Sequence, residues 1–103
     1  MTATYASKLH RSGKHALLAV ADSGIVGKSF KGDGVQIDVT DSFYGDGRTD
    51  EKEVKESMKR MTMGNFTGKN AVELAVREGY VDEDGVTLVG GVPHAQFYDS
   101  GLL

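Results

Sequence analysis

The sequence predicts an α+β fold: a small, mainly antiparallel sheet of about five strands with two helices packed on one face, in the chain order β-β-β-α-α-β-β. Three observations carry this. Extended apolar and alternating runs fill the first 39 residues, apolar stripes of helical period fill residues 50–78, and extended patterns return from Val86. At 103 residues the chain is expected to be a single domain, 1–103. A chain of that length buries about two-thirds of the surface its unfolded form exposes, enough for one core.

Residues 3–9 and 15–21 read as a hairpin turned across His10-Arg11-Ser12-Gly13-Lys14, where Ser12-Gly13 tolerates a positive φ. The run from His15 to Ala21 is nearly all apolar, the pattern of a central strand covered on both faces. Asp22-Ser23-Gly24 ends it, and Ile25 to Phe30 reads as a connector with apolar anchors. The turn cluster Lys31 to Gly34 leads into a strand over Val35–Val39, with Val35, Ile37 and Val39 on a dry face and Gln36 and Asp38 on a wet one. Thr40 to Thr49 reads as a glycine-rich loop, with Phe43 folding inward and Tyr44 at the rim.

Asp50 and Glu53 have the spacing of a helix-capping box, and Val54, Met58 and Met61 form one apolar stripe, predicting a helix over 50–62. Met63 is read with that stripe as core. Gly64-Asn65 is expected to stop this helix, and Thr67 to cap a second one running to about Glu78, with Val72, Ala75 and Val76 inward and Gly79 as its stop. Asn65 and Gly68 thus fall between two helices. Val81 to Gly85 is an acidic turn, Val86–Val89 a strand, and Gly90-Gly91-Val92-Pro93 a bend before the last strand, His94–Tyr98.

Composition excludes several classes of function. Without cysteine there is no disulfide framework, thiol nucleophile or cysteine-based metal site, so a reducing cytoplasm is the expected compartment. No apolar stretch approaches the roughly 20 residues needed to span a bilayer, so no membrane role is expected. The net charge of −3 argues against coating nucleic acid through bulk charge. The charge is uneven, however: residues 1–34 hold five basic against two acidic side chains, and residues 35–103 hold seven against thirteen. Lys8, Arg11 and Lys14 form a candidate phosphate-binding patch or the solvated tip of a hairpin. His10 and His15 flank the same turn and would strengthen it on mild acidification.

Other motifs fail on spacing. Gly24-Ile25-Val26-Gly27-Lys28-Ser29 resembles a phosphate-binding loop, but only two residues separate its glycines and Asp22 occupies the required glycine position. Lys28 remains a candidate point-charge contact to phosphate. The three histidines have no metal-ligand spacing, and the Asp82-Glu83-Asp84-Gly85 cluster lacks the closing glutamate of a calcium loop. No metal, cofactor or catalytic residue is expected. The most unusual segment is Gly90-Gly91-Val92-Pro93-His94-Ala95-Gln96, which presents His94 and Gln96 from one side of a strand. His94 suits a hydrogen-bonded bend fastener, a general base or a donor, and Gln96 suits a base edge or an amide.

The run from Ala19 to Phe30, the Phe43-Tyr44-Gly45 loop, the segment Asn65 to Val72 and above all Gly90 to Gln96 resemble, in this order, a known family. It is the small archaeal family catalogued as domain of unknown function 424, sometimes described as RNA-binding. The likeness covers nearly the whole chain. It implies an archaeal cytoplasmic protein linked to RNA or translation, and the family supplies no catalytic residues to transfer. The leading expectation is a non-catalytic RNA-interacting protein, with Lys8, Arg11, Lys14 and Lys28 on phosphates and Tyr44, Asn65, His94 and Gln96 on bases. Its partners would be RNA or ribosome-associated factors. Two other classes stay open: a small ligand-binding protein or enzyme with a pocket joining His94, Tyr44 and Asp22, and an interaction module or homodimer using a sheet edge and the tail from Phe97 to Leu103.

Overall fold

The first two strands, β1 (Thr4–Ser12) and β2 (His15–Asp22), form an antiparallel hairpin closed by Gly13-Lys14, with Gly13 at φ +60°. Positive φ at the first turn position matches the twist of the flanking strands. The computed structural model describes residues 4–99; Ala3 of the expected first strand and Ser100 to Leu103 of the tail lie outside the described residues. A short 3-10 turn, Ser23–Ile25, leads to β3 (Ser29–Gly32) and β4 (Val35–Asp38), joined by Asp33-Gly34 with both φ values positive. Then come α1 (Asp41–Tyr44), β5 (Thr49–Asp50), α2 (Glu51–Met58), β6 (Met63–Thr67) and α3 (Lys69–Arg77). Another 3-10 turn, Glu83–Gly85, precedes β7 (Thr87–Val89) and β8 (Val92–Tyr98).

The main sheet has six strands in the order β5-β1-β2-β6-β8-β7. It is mixed, because β2 and β6 run parallel while every other neighbouring pair is antiparallel. The expected α+β class and two helices on one face hold. Tyr5, Leu18, Val20 and Phe66 point to one side of the sheet and pack on Val54 and Met58 of α2 and on Ala71, Leu74 and Ala75 of α3. These helices bury only one stripe each, so their charged faces stay in water. The opposite face is half covered: Ala6, Ala19 and Ala21 lie under Val39 and Tyr44, with Ile25, Phe30 and Ile37 packed around them. Alanines recur on this face where α1 and the β3-β4 hairpin approach.

Several expected boundaries are corrected. Val35–Val39 does not join the main sheet; its β4 part pairs only with β3, which had read as the end of a connector and the start of a turn, and the two form a separate ribbon. That ribbon docks by backbone approach, since a Cβ on Gly32 would lie 2.8 Å from Gly90 N. The helix expected over 50–62 ends at Met58, because Thr62 is drawn to the start of β2: its N–H and the Ala16 N–H bond reciprocally, to Ala16 O and Thr62 Oγ1, both at 2.8 Å. Residues 63–67 are a central strand, where a junction between helices had been expected. Thr67 accordingly caps no helix. Within the expected loop, Thr40 caps α1 by accepting from Phe43 N. Among the described residues no helix is long and apolar enough to cross a membrane.

Candidate functional site

On the half-covered face, strand alternation brings Asn65 and Thr67 of β6 beside Gln96 and His94 of β8, in the register Asn65↔Gln96 and Thr67↔His94. On the other side of β8, the Gly90-Gly91 turn sets its register against β7: both glycines have positive φ, the geometry of a two-residue turn between twisted strands. From above, α1 lowers Tyr44 onto the same spot. The Tyr44 hydroxyl donates to Asn65 Oδ1 at 2.6 Å and lies 3.0 Å from Thr67 Oγ1, which is 2.8 Å from His94 Nδ1. Four side chains from three elements thus form one hydrogen-bonded chain.

Burial tunes its two titratable members, Tyr44 and His94. Tyr44 and Thr67 are fully enclosed. Burial pushes the Tyr44 phenol above its usual range, with the Thr67 hydrogen bond acting the other way. Burial likewise holds the His94 imidazolium form down, so the ring is neutral at pH 7. The His94 ring borders an open depression of about 320 Å³ formed with Gly85, Thr87 and Gln96. A larger, mainly apolar groove of about 610 Å³ lies on the helical side of the sheet, between α3 and Val86, away from these polar groups.

Next to the chain, Asp22 at the end of β2 accepts from Asn70 N at 3.1 Å and Ala71 N at 2.8 Å, and so caps α3 from a neighbouring strand. Gly68 is required there: its φ is +110°, and a Cβ would lie 2.6 Å from Asp22 Cγ. Asp22 is therefore a structural clamp and does not enter the hydrogen-bonded chain.

The structure brings together Tyr44, Asn65 and His94 of the expected site, with Gln96 directly across from Asn65. It reverses the expected roles of two aromatics. Tyr44 plugs the core at 2% exposure, while Phe43 stays partly exposed and stacks on His10 at 5.0 Å between ring centres, with His10 Nε2 2.8 Å from Phe43 O. The cations are not gathered. Lys8 donates to Ser42 O at 3.0 Å on the α1 side. Arg11, three residues on, has the parity of Leu9, which packs on the helical side, and Lys14 is at the hairpin tip. Lys28 precedes β3, its backbone bonded to Ile25 and Val39.

Two residues of this face were not singled out from the sequence. Thr67 had read as a helix cap. Tyr98 follows His94 and Gln96 at every second position, so alternation would have put it on their face. It is 59% exposed, and its hydroxyl donates to Gln96 Oε1 at 2.8 Å. Among the described residues, no helix other than α1 with Tyr44 packs on the face carrying Met63, Asn65, Gln96 and Tyr98.

These features define a small α+β domain with a buried polar chain that opens onto one sheet face. The chain belongs to the family described as protein of unknown function (DUF424), whose model matches residues 10–99. It is similar to a crystal structure of an uncharacterized conserved protein from Methanopyrus kandleri, with a TM-score of 0.76 and 27% identity over 92% of this chain and 90% of that one. No curated protein matches it.

Proposed function

We propose that the protein is a non-catalytic, translation-associated domain of the archaeal cytoplasm that binds single-stranded RNA on the open half of its sheet. The observation that carries this reading is the exposed ring of Tyr98, held to Gln96 by a 2.8 Å hydrogen bond on the face shared with Asn65 and His94. An exposed aromatic on a sheet, flanked by amides and an imidazole, offers a base both a stacking surface and edge contacts. Lys8, on the same side of the sheet, and Lys14, at the hairpin tip, are the proposed phosphate contacts, with Lys28 before β3 as a third; Arg11, whose strand parity puts it on the helical side, is not among them. With a net charge of −3, affinity depends more on stacking than on bulk attraction. RNA and ribosome-associated factors are the proposed partners.

The test is fluorescence anisotropy with a labelled ten-nucleotide single-stranded RNA across a salt series. Binding at low salt that weakens with added salt and with Tyr98→Ala supports the reading; no binding at low salt rejects it. A second reading, a small-ligand site, is favoured by the neutral imidazole of His94 at the edge of a depression of about 320 Å³. It predicts that His94→Gln abolishes ligand binding while Tyr98→Ala does not.

A further inference from the structure

The hydrogen bonds around Thr67 run in one direction. Tyr44 has a single hydroxyl proton and gives it to Asn65 Oδ1 at 2.6 Å. At the 3.0 Å contact the phenol oxygen therefore accepts, and Thr67 donates its own single proton. With that proton committed, Thr67 Oγ1 accepts at the 2.8 Å contact with His94, so Nδ1 carries the ring hydrogen. A neutral imidazole has one N–H, which leaves Nε2 as a bare lone pair.

The outer ends of this chain reach solvent. Among the described residues His94 Nε2 and Asn65 Nδ2 have no hydrogen-bond partner, and no side-chain nitrogen or oxygen there is both buried and unpartnered. Both atoms are therefore open to a ligand. Asn65 holds its oxygen against the Tyr44 hydroxyl, and its NH₂ group has no partner among the described residues. Gln96 has committed Oε1 to Tyr98 and also presents an NH₂ group. His94 and Asn65 are diagonal neighbours on adjacent strands, a separation that one planar heterocycle can bridge.

We infer that His94 Nε2 and the Asn65 amide nitrogen form an acceptor and donor pair that selects the imide edge of a base, a ring N–H beside a carbonyl, as in uracil. Cytosine presents the reverse edge, so its ring lone pair would face the Nε2 lone pair and its amine would face the Asn65 amine. Burial keeps the imidazole neutral, which maintains its accepting role at pH 7. This selectivity rests on the RNA-binding reading; the tautomer does not.

Two measurements test it. Long-range ¹⁵N–¹H correlation of the free protein at pH 7.5 should show His94 protonated on Nδ1, and an Nε2–H tautomer overturns the inference. Anisotropy with single-stranded U₁₀ and C₁₀ should show U₁₀ bound more tightly by about 5- to 150-fold, the range of one good paired edge. Asn65→Asp, which turns the donor into an acceptor, should erase that preference while C₁₀ binding persists. Equal affinity of the natural chain for U₁₀ and C₁₀ overturns the selectivity and leaves the RNA reading standing. No binding to either rejects both.

Discussion

Asp22 and Gly68 meet at the first turn of α3, where the Asp22 carboxylate takes two backbone N–H groups and the missing Cβ of Gly68 leaves room for it. Asp22→Ala should lower stability by about 0.5–2 kcal/mol, the worth of a helix cap. Gly68→Ala should cost more than about 1 kcal/mol, because it combines a collision with a strained positive φ. Urea unfolding midpoints followed by circular dichroism check both, and a Gly68→Ala protein as stable as the natural one would contradict the close approach.

Tyr44 and Thr67 are coupled, not merely adjacent. Tyr44→Phe and Thr67→Val should each cost about 1–3 kcal/mol by stranding a buried partner. The double variant should cost less than their sum, with a coupling of about 0.5–3 kcal/mol. Strict additivity in a double-mutant cycle of urea unfolding would show that the 3.0 Å contact carries no energy.

His94 makes stability depend on pH. Its folded pKa lies below the unfolded value of 6.5, so the unfolded state takes up a proton first as pH falls. The stability from this residue is whole above 6.5 and is lost as pH falls through that value toward the folded pKa. Comparing urea midpoints at pH 7.5 and pH 5 for the natural protein and His94→Gln should show a steeper decline in the natural protein. Equal declines would contradict the direction.

Tyr98 separates function from stability. Tyr98→Ala should change stability by less than about 0.5 kcal/mol, since the ring is exposed. It should weaken single-stranded RNA binding by about 1–3 kcal/mol, the worth of one stacked base. Anisotropy and urea unfolding on the same variant check the pair of expectations.

The first hairpin, the α3 stripe and the Gly90-Gly91 bend were legible because each is fixed by local pattern. Asp50 also caps α2 as its spacing predicted, accepting from Glu53 N at 2.9 Å. The segment Met63 to Thr67 was not legible, because Gly64 and Asn65 are ordinary helix stops. They occur in a strand for tertiary reasons: a Cβ on Gly64 would lie 2.6 Å from the Phe66 ring, and Asn65 is held by Tyr44. The site was legible only in fragments. His94 and Gln96 share a face by simple alternation, but the partner of His94 is Thr67, 27 positions away across a strand pair with no local signal. Tyr44 and Phe43 were assigned reversed roles because the four-residue helix that orients them is too short to leave a periodic pattern.

The parallel pairing of β2 with β6 has a kinetic consequence. Each matched pair in that register, from Leu17↔Met63 to Ala21↔Thr67, is 46 positions apart, and everything from the 3-10 turn to α2 lies inside the excursion. The hairpin of β1 and β2 can close locally, but the middle of the sheet must wait for a long loop to be ordered first. On a ribosome the amino-terminal hairpin therefore emerges well before the strand that completes its hydrogen bonding, with the free edge of β2 exposed in the interval.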